Sequence, residues 1–114
     1  MSTVTISVSS REEVNRRFEA AFRGEPQGVH ISFKSMELLW KVLTPKRLEL
    51  VQAMTGEGPM AIREAARRVG RDVKAVHGDI HALLKAGILG RTEEGRVEFP
   101  YDAIHVDFMI TKAA

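Results

Sequence analysis

The chain has no cysteine. Disulfides, zinc knuckles and thiol catalysis are therefore excluded, and the composition fits a reducing cytoplasm. No apolar run is long enough to span a membrane, and no signal-peptide core is visible, so a cytoplasmic protein without a membrane role is expected. The formal net charge is only +2. The chain is not a polybasic nucleic-acid coat, and any nucleic-acid binding must come from where its charge sits. There is no internal repeat, low-complexity tract, glycine-rich phosphate loop or serine in a nucleophile elbow. Glu12 and Glu13, like Glu93 and Glu94, are sequence neighbours; in a helix or hairpin they do not face one another and make poor acid–base pairs. No enzyme and no cofactor is expected. At 114 residues and 12.7 kDa the chain is one domain's worth, enough for a modest core.

The informative stretch is 62–99, IREAARRVGRDVKAVHGDIHALLKAGILGRTEEGRVEF. Ile62, Ala65, Ala66 and Val69 form one helical face. Gly70 stands where helices often close in a left-handed residue, and Asp72 where an N-cap belongs. Val73, Val76, Ile80, Leu83 and Leu84 make the stripe of a second helix, which Gly87 ends. Residues 88–91 and 96–99 are strand-like, joined by Thr92-Glu93-Glu94-Gly95, a hairpin signal. Helix, short turn, helix, hairpin is the order of a winged helix-turn-helix, whose DNA-binding version lays its second helix in the major groove.

On a helical wheel Lys74, Ala75, Gly78, Ala82 and Lys85 lie opposite the apolar stripe, with His77 and His81 on the flank. A basic or small face lets a backbone approach base edges. Gly78 costs about 1 kcal/mol relative to Ala in mid-helix; close approach to DNA or close packing on a neighbouring helix would each account for it. Between Arg63 and Lys74 there are five basic residues and two acidic ones. Arg63, Arg67, Arg68 and Arg71 are candidates for phosphate contacts, and Lys74 for phosphate or a base edge. In the hairpin, Arg91 and Arg96 are the expected backbone contacts, since Glu93 and Glu94 at the tip would repel phosphate. His77 and His81 are spaced i, i+4, but the glutamate of a zinc hydrolase helix is missing and Gly78 stands in its place. No metal site is expected; the histidines are read as donors to phosphate or a carboxylate.

Val4, Ile6 and Val8 alternate as a strand. Ser10 with Glu13 is a capping box for a helix with the apolar face Val14, Phe18, Ala21 and Phe22, broken at Gly24-Glu25-Pro26. Val29, Ile31 and Phe33 form a second strand. Ser35 caps a helix carrying Leu38, Leu39, Val42 and Leu43. Thr44-Pro45 starts another, with Leu48, Val51 and Met54 inward. Phe18, Phe22, Phe33 and Trp40 are expected in the core. Ile104, Val106, Phe108 and Ile110 alternate as a last strand. The expected fold is α+β: a winged helix-turn-helix (35–100) with an N-terminal β-α-β extension (1–34) and an extra C-terminal strand and tail (101–114).

The runs ISFKSMELLWKVLTPKRLELVQAM, AIREAARRVGRDVKAVHGDIHALLKAGIL and GRVEFPYDAIHVDF resemble a prokaryotic group of predicted winged-helix transcriptional regulators, loosely similar to the MarR and ArsR types. The resemblance covers nearly all of 31–108, and LTPKRLEL, GRDVKAVH and FPYDAI are its most specific parts. It implies a winged fold and DNA binding, with Arg71, Asp72, Lys74, His77 and Asp79 as motif positions of the recognition helix. Some members of the group look like antitoxins encoded beside a small toxin. The resulting expectation is a homodimeric repressor bound to duplex DNA. The alternative is an antitoxin or protein-interaction module that binds a partner such as a cognate toxin, for which an open sheet edge at 4–8 or 104–110 would speak. A ligand-sensing regulator of the MarR sort would instead need a pocket between the dimerisation region and the winged half.

Overall fold

The computed structural model describes residues 2–8, 11–24, 28–108 and 110. Ten elements follow one another: β1 (Thr3–Val8), α1 (Arg11–Phe22), β2 (Val29–Phe33), α2 (Met36–Val42), α3 (Pro45–Met54), α4 (Ile62–Val69), α5 (Val73–Lys85), β3 (Gly90–Arg91), β4 (Val97–Glu98) and β5 (Ala103–Asp107). Among the described residues the result is an α+β arrangement with five helices, a three-stranded parallel sheet of order β2-β1-β5 and a two-stranded antiparallel hairpin, β3-β4. Among the described residues no helix is long and apolar enough to cross a membrane. The Ser10–Glu13 capping box and the Glu25-Pro26 break lie outside the described residues.

Period-two alternation explains the sheet. Val4 and Ile6 of β1 point into the core and are fully buried, beside Leu39 and Leu43 of the α2 region and Leu50, Val51 and Met54 of α3. Thr5 and Ser7 point the other way. Their register places His30 and His105 on either side of Thr5, and Ser32 and Asp107 on either side of Ser7. One face of the sheet is thus apolar and the other polar. β1 is the central strand, paired on both sides, so 4–8 is no open edge; among the described residues the unpaired sides of this sheet are those of β2 and β5.

The caps read from sequence are in place. Ser35 Oγ accepts from the Leu38 amide at 3.2 Å, and Thr44 Oγ1 from the Arg47 amide at 3.3 Å, with Pro45 at the first turn. Each ties off an amide that has no partner inside its helix.

Several side chains are not where the periodicity put them. Leu48 is 37% exposed, and Leu50 joins Val51 and Met54 in the core instead. Leu38 and Val73 are also partly exposed, because the buried stripes narrow to Leu39–Leu43 in α2 and Val76–Ile80–Leu83 in α5. Trp40 is partly exposed too, with its ring edge-on to Phe108 at 5.6 Å. The hairpin strands are shorter than expected. The Ile88 and Leu89 amides both donate to the Leu83 carbonyl, finishing α5, so neither joins the ladder. Their side chains are buried all the same. Met60, just before α4, pairs with Val97 by two backbone bonds of 2.9 Å and gives the hairpin a third partner. The last strand ends at Asp107, and Ile110 is exposed.

The largest departure is α1. Its apolar residues Val14, Phe18 and Phe22 are 41, 71 and 86% exposed, and Ala21 is exposed as well. The helix meets the polar face of the sheet, where Arg17 Nη2 donates to Ser32 Oγ at 2.6 Å. A face of Thr5, Ser7, His30 and Ser32 offers little for phenyl rings to bury against, and the stripe is left outside.

Candidate nucleic-acid interface

α3, α4 and α5 pack on one another. The α4–α5 corner is built residue by residue. Gly70 takes φ 65°, ψ 36°, the left-handed conformation that a side chain disfavours, and its amide donates to the carbonyls of Ala66 and Arg67. The Arg71 amide closes the same end by donating to Ala66 at 3.1 Å. Asp72 then caps α5, its Oδ2 accepting from the Lys74 amide at 3.0 Å. Val76, Ile80 and Leu83 of α5 are fully buried, each contributing about 1.5–3 kcal/mol by removal from water.

The orientation of α5 is also fixed by charge. Asp79 lies between Val76 and Leu83 on the inward side of the helix, and its side chain is only 16% exposed. Arg47 Nε of α3 donates to Asp79 Oδ1 at 3.0 Å. Arg71 Nη2 stands 2.7 Å from Asp79 Oδ2, a charge contact without hydrogen-bond geometry, and Arg71 Nη1 is buried with no hydrogen-bond partner among the described residues. Burial opposes the charge on Asp79, but the Arg47 and Arg71 guanidiniums outweigh it and hold the carboxyl below its usual value. Arg47 Nη1 also donates to the carbonyls of Lys41 and Val42 at 3.0 and 3.1 Å, so one guanidinium joins the end of α2, α3 and α5. A carboxylate inside an apolar stripe demands a cation. Asp79 carried that signal in the sequence, whereas Arg47, 32 positions upstream, carried none.

The expected contact residues separate into two groups. Lys74, Ala75, His77, Gly78 and His81 lie together on the exposed side of α5. A Cβ added at Gly78 would meet nothing within 4 Å. Among the described residues no neighbouring helix packs close enough to need this glycine, so packing within them does not account for it. His77 and His81 bring their Nε2 atoms to 3.1 Å. Arg63 is exposed, with no ion pair among the described residues.

The other arginines of this corner are engaged within the chain. Glu64 receives Arg67 Nε at 2.9 Å and Arg68 Nε at 3.0 Å, and Arg68 also pairs with Glu57 at 3.3 Å. The hydrogen bonds from Arg67, then Arg68, lower the Glu64 carboxyl to about 2, and Glu64 in turn raises both guanidiniums. Arg67 remains largely open to water all the same, whereas the Arg71 side chain is 19% exposed. Arg91 and Arg96 are exposed on the hairpin, with Arg91 Nη1 donating to the Gly95 carbonyl at 3.3 Å. A hollow of about 190 Å³ lies between Leu48, Thr55, Phe99 and Ile104, smaller than the roughly 300–1,000 Å³ of ordinary ligand pockets.

Residues 42–106 match the HVO_A0114 family. The chain belongs to that family. The HVO_A0114 match runs from the last residue of α2 into β5 and holds the whole α4–α5 corner, Arg47 and the hairpin. β1, α1 and β2 lie outside it, so the HVO_A0114 stretch supplies β5 while the central strand that β5 pairs with comes from the segment before it. No curated protein matches the chain.

Proposed function

We propose that this chain is a sequence-specific duplex DNA-binding transcriptional regulator, a winged helix-turn-helix that acts as a homodimeric repressor by occupying its operator. The observation that carries the reading is the exposed strip of α5 formed by Lys74, Ala75 and Gly78, where a Cβ at Gly78 would meet nothing within 4 Å among the described residues. An α-helix with side chains is about 10–12 Å across and the major groove about 12 Å wide. Gly78 brings the helix backbone nearest to base edges, and Lys74 reaches a phosphate or a base. Arg63 and the outward Arg67 contact phosphates, with Arg91 and Arg96 on the hairpin side. Arg71, paired with Asp79, positions α5 and does not touch DNA. The Met60–Val97 pairing supports the winged reading, because a short strand before the two helices that joins the hairpin belongs to that topology.

The test is a salt-titrated gel shift on the DNA upstream of the chain's own gene, with a scrambled duplex as control. Binding confined to the true duplex with a steep salt slope is expected. Lys74→Ala lowers that slope by about 1 for one lost phosphate contact. Equal binding to both duplexes at every salt concentration overturns the sequence-specific reading.

A second reading has its own observation. The bare aromatic face of α1 favours a protein partner, either the other protomer or a toxin, and a pull-down with the neighbouring gene product separates the two.

A further inference from the structure

The two histidines of α5 converge more closely than helix spacing requires. Residues at i and i+4 share a face, yet here the rings are tilted by 42° with centroids 4.2 Å apart and the two Nε2 atoms at 3.1 Å. We propose that His77 and His81 are a two-imidazole chelate for a borderline divalent transition ion, Cu²⁺ ahead of Ni²⁺ and Zn²⁺. Metal–imidazole bonds of about 2.0–2.1 Å separate two ligating nitrogens by roughly 2.9 Å at right angles and roughly 3.4 Å at the tetrahedral angle. The observed 3.1 Å falls between these values. Imidazole selects this class of ion, whereas Mg²⁺ and Ca²⁺ take oxygen ligands, and the order of affinity follows the general series for nitrogen sites.

The surroundings suit an ion held at the surface. Both rings are exposed, and the absent side chain of Gly78 leaves the space beside them open. Among the described residues no group of three or more His, Cys, Asp or Glu gathers to hold an ion. The ion therefore has two protein ligands, and its other positions are left to water or to an incoming donor. Without an ion, one Nε2–H donates to the other Nε2. Chelation needs both Nε2 lone pairs, so the donor ring passes to its other tautomer, its proton leaving Nε2 and one being taken up at Nδ1 from solvent. His30 and His105 form no second pair, because β1 lies between them with Thr5 in the same row.

The site sits on the strip assigned to DNA, so its consequence for regulation rests on that reading. A bound ion adds positive charge between Lys74 and Lys85 and offers open positions to a phosphate oxygen or a base nitrogen, strengthening DNA binding.

The experiment is calorimetric titration of the full chain with CuCl₂, NiCl₂ and ZnCl₂ in turn, without DNA. One ion per chain is expected, tightest for Cu²⁺. His77→Gln and His81→Gln each weaken it by about 100-fold, as a chelate becomes a single ligand. A His30→Gln/His105→Gln double variant leaves it unchanged. In the unsubstituted chain, Cu²⁺ broadens the ring proton signals of His77 and His81 before those of the other two histidines, a readout independent of any variant's folding. Absence of binding, or binding that persists in either α5 variant, overturns the proposal. A gel shift with and without the ion then separates the two readings. A chain that takes the ion but no DNA keeps the chelate and loses the regulator; one that takes DNA but no ion does the reverse.

Discussion

α5 and α1 are both surface helices with an apolar stripe, and they dispose of it in opposite ways. α5 buries Val76, Ile80 and Leu83 completely and turns Lys74, Gly78 and two histidines outward. α1 turns Phe18 and Phe22 outward. The difference lies in what each helix was given to pack on. α5 meets the apolar sides of α3 and α4, while α1 meets the hydroxyl and imidazole side chains of the sheet's polar face. An amphipathic pattern says that a helix has a face to bury; it does not say that the same chain supplies the cover. The comparison also divides the functional proposals, with α5 suited to a polar, negatively charged partner and α1 to an apolar one.

The contrast can be broken most directly in the core of α5. Ile80→Ala removes a fully buried side chain and is expected to cost about 3 kcal/mol in urea unfolding. A cost under about 1 kcal/mol would mean that α5 is not packed as described.

Asp79→Ala comes next. It leaves Arg47 and Arg71 facing each other in a partly buried position, and a loss of about 2 kcal/mol is expected. The value is below that of a fully enclosed pair because the freed guanidiniums can turn toward water. The pH dependence has a definite sign. A carboxyl held below its ordinary value in the folded state contributes stability that is full above its unfolded value, about 3.9, and fades as the pH falls through its folded one. Asp79→Asn should flatten acid unfolding in that range; an acid limb identical to that of the original chain would show that the pair contributes nothing.

Gly78→Ala sharpens the comparison from the other side. A mid-helix alanine with open space around its Cβ should raise stability by about 1 kcal/mol. The same methyl stands where the backbone is proposed to approach DNA, so affinity should fall while the melting temperature rises. A variant that gains stability and keeps full DNA affinity would remove Gly78 from the interface.

How much of this was legible in the sequence follows the range of the interactions. The caps at Ser35, Thr44 and Asp72, the left-handed turn at Gly70 and the Thr92–Gly95 hairpin are local, set by residues within a few positions of one another, and they form where the sequence placed them. The parallel pairing of β1 joins it to β2, 25 residues on, and to β5, 100 residues on, and the alternation that identified the strands carries no record of their order. The same limit explains Leu48. Periodicity allows either Leu48 or Leu50 to accompany Val51 and Met54, and only the position of the neighbouring elements selects Leu50. At the candidate interface, the outward residues of α5 followed from the helical wheel, but the engagement of Arg71 by Asp79 did not, because a charge run shows which residues are cations and not which carboxylates they meet.

Phe18→Ser is the smallest of these perturbations for the folded monomer and the most discriminating for α1. With the ring 71% exposed, its removal should change unfolding free energy by no more than about 0.5 kcal/mol. If α1 is the surface that a second protomer covers, the same change shifts self-association to higher concentration in sedimentation equilibrium, because a phenyl ring buried between copies contributes through the area it removes from water. It also weakens DNA binding indirectly, since a monomer engages one half-site where a dimer engages two. A loss of about 3 kcal/mol in the monomer would instead place Phe18 in the core of the chain and remove the contrast with α5. An unchanged association constant at normal stability would assign the aromatic face to a different protein, the toxin partner of the second reading, and leave the two-fold to be built by the free sides of β2 and β5.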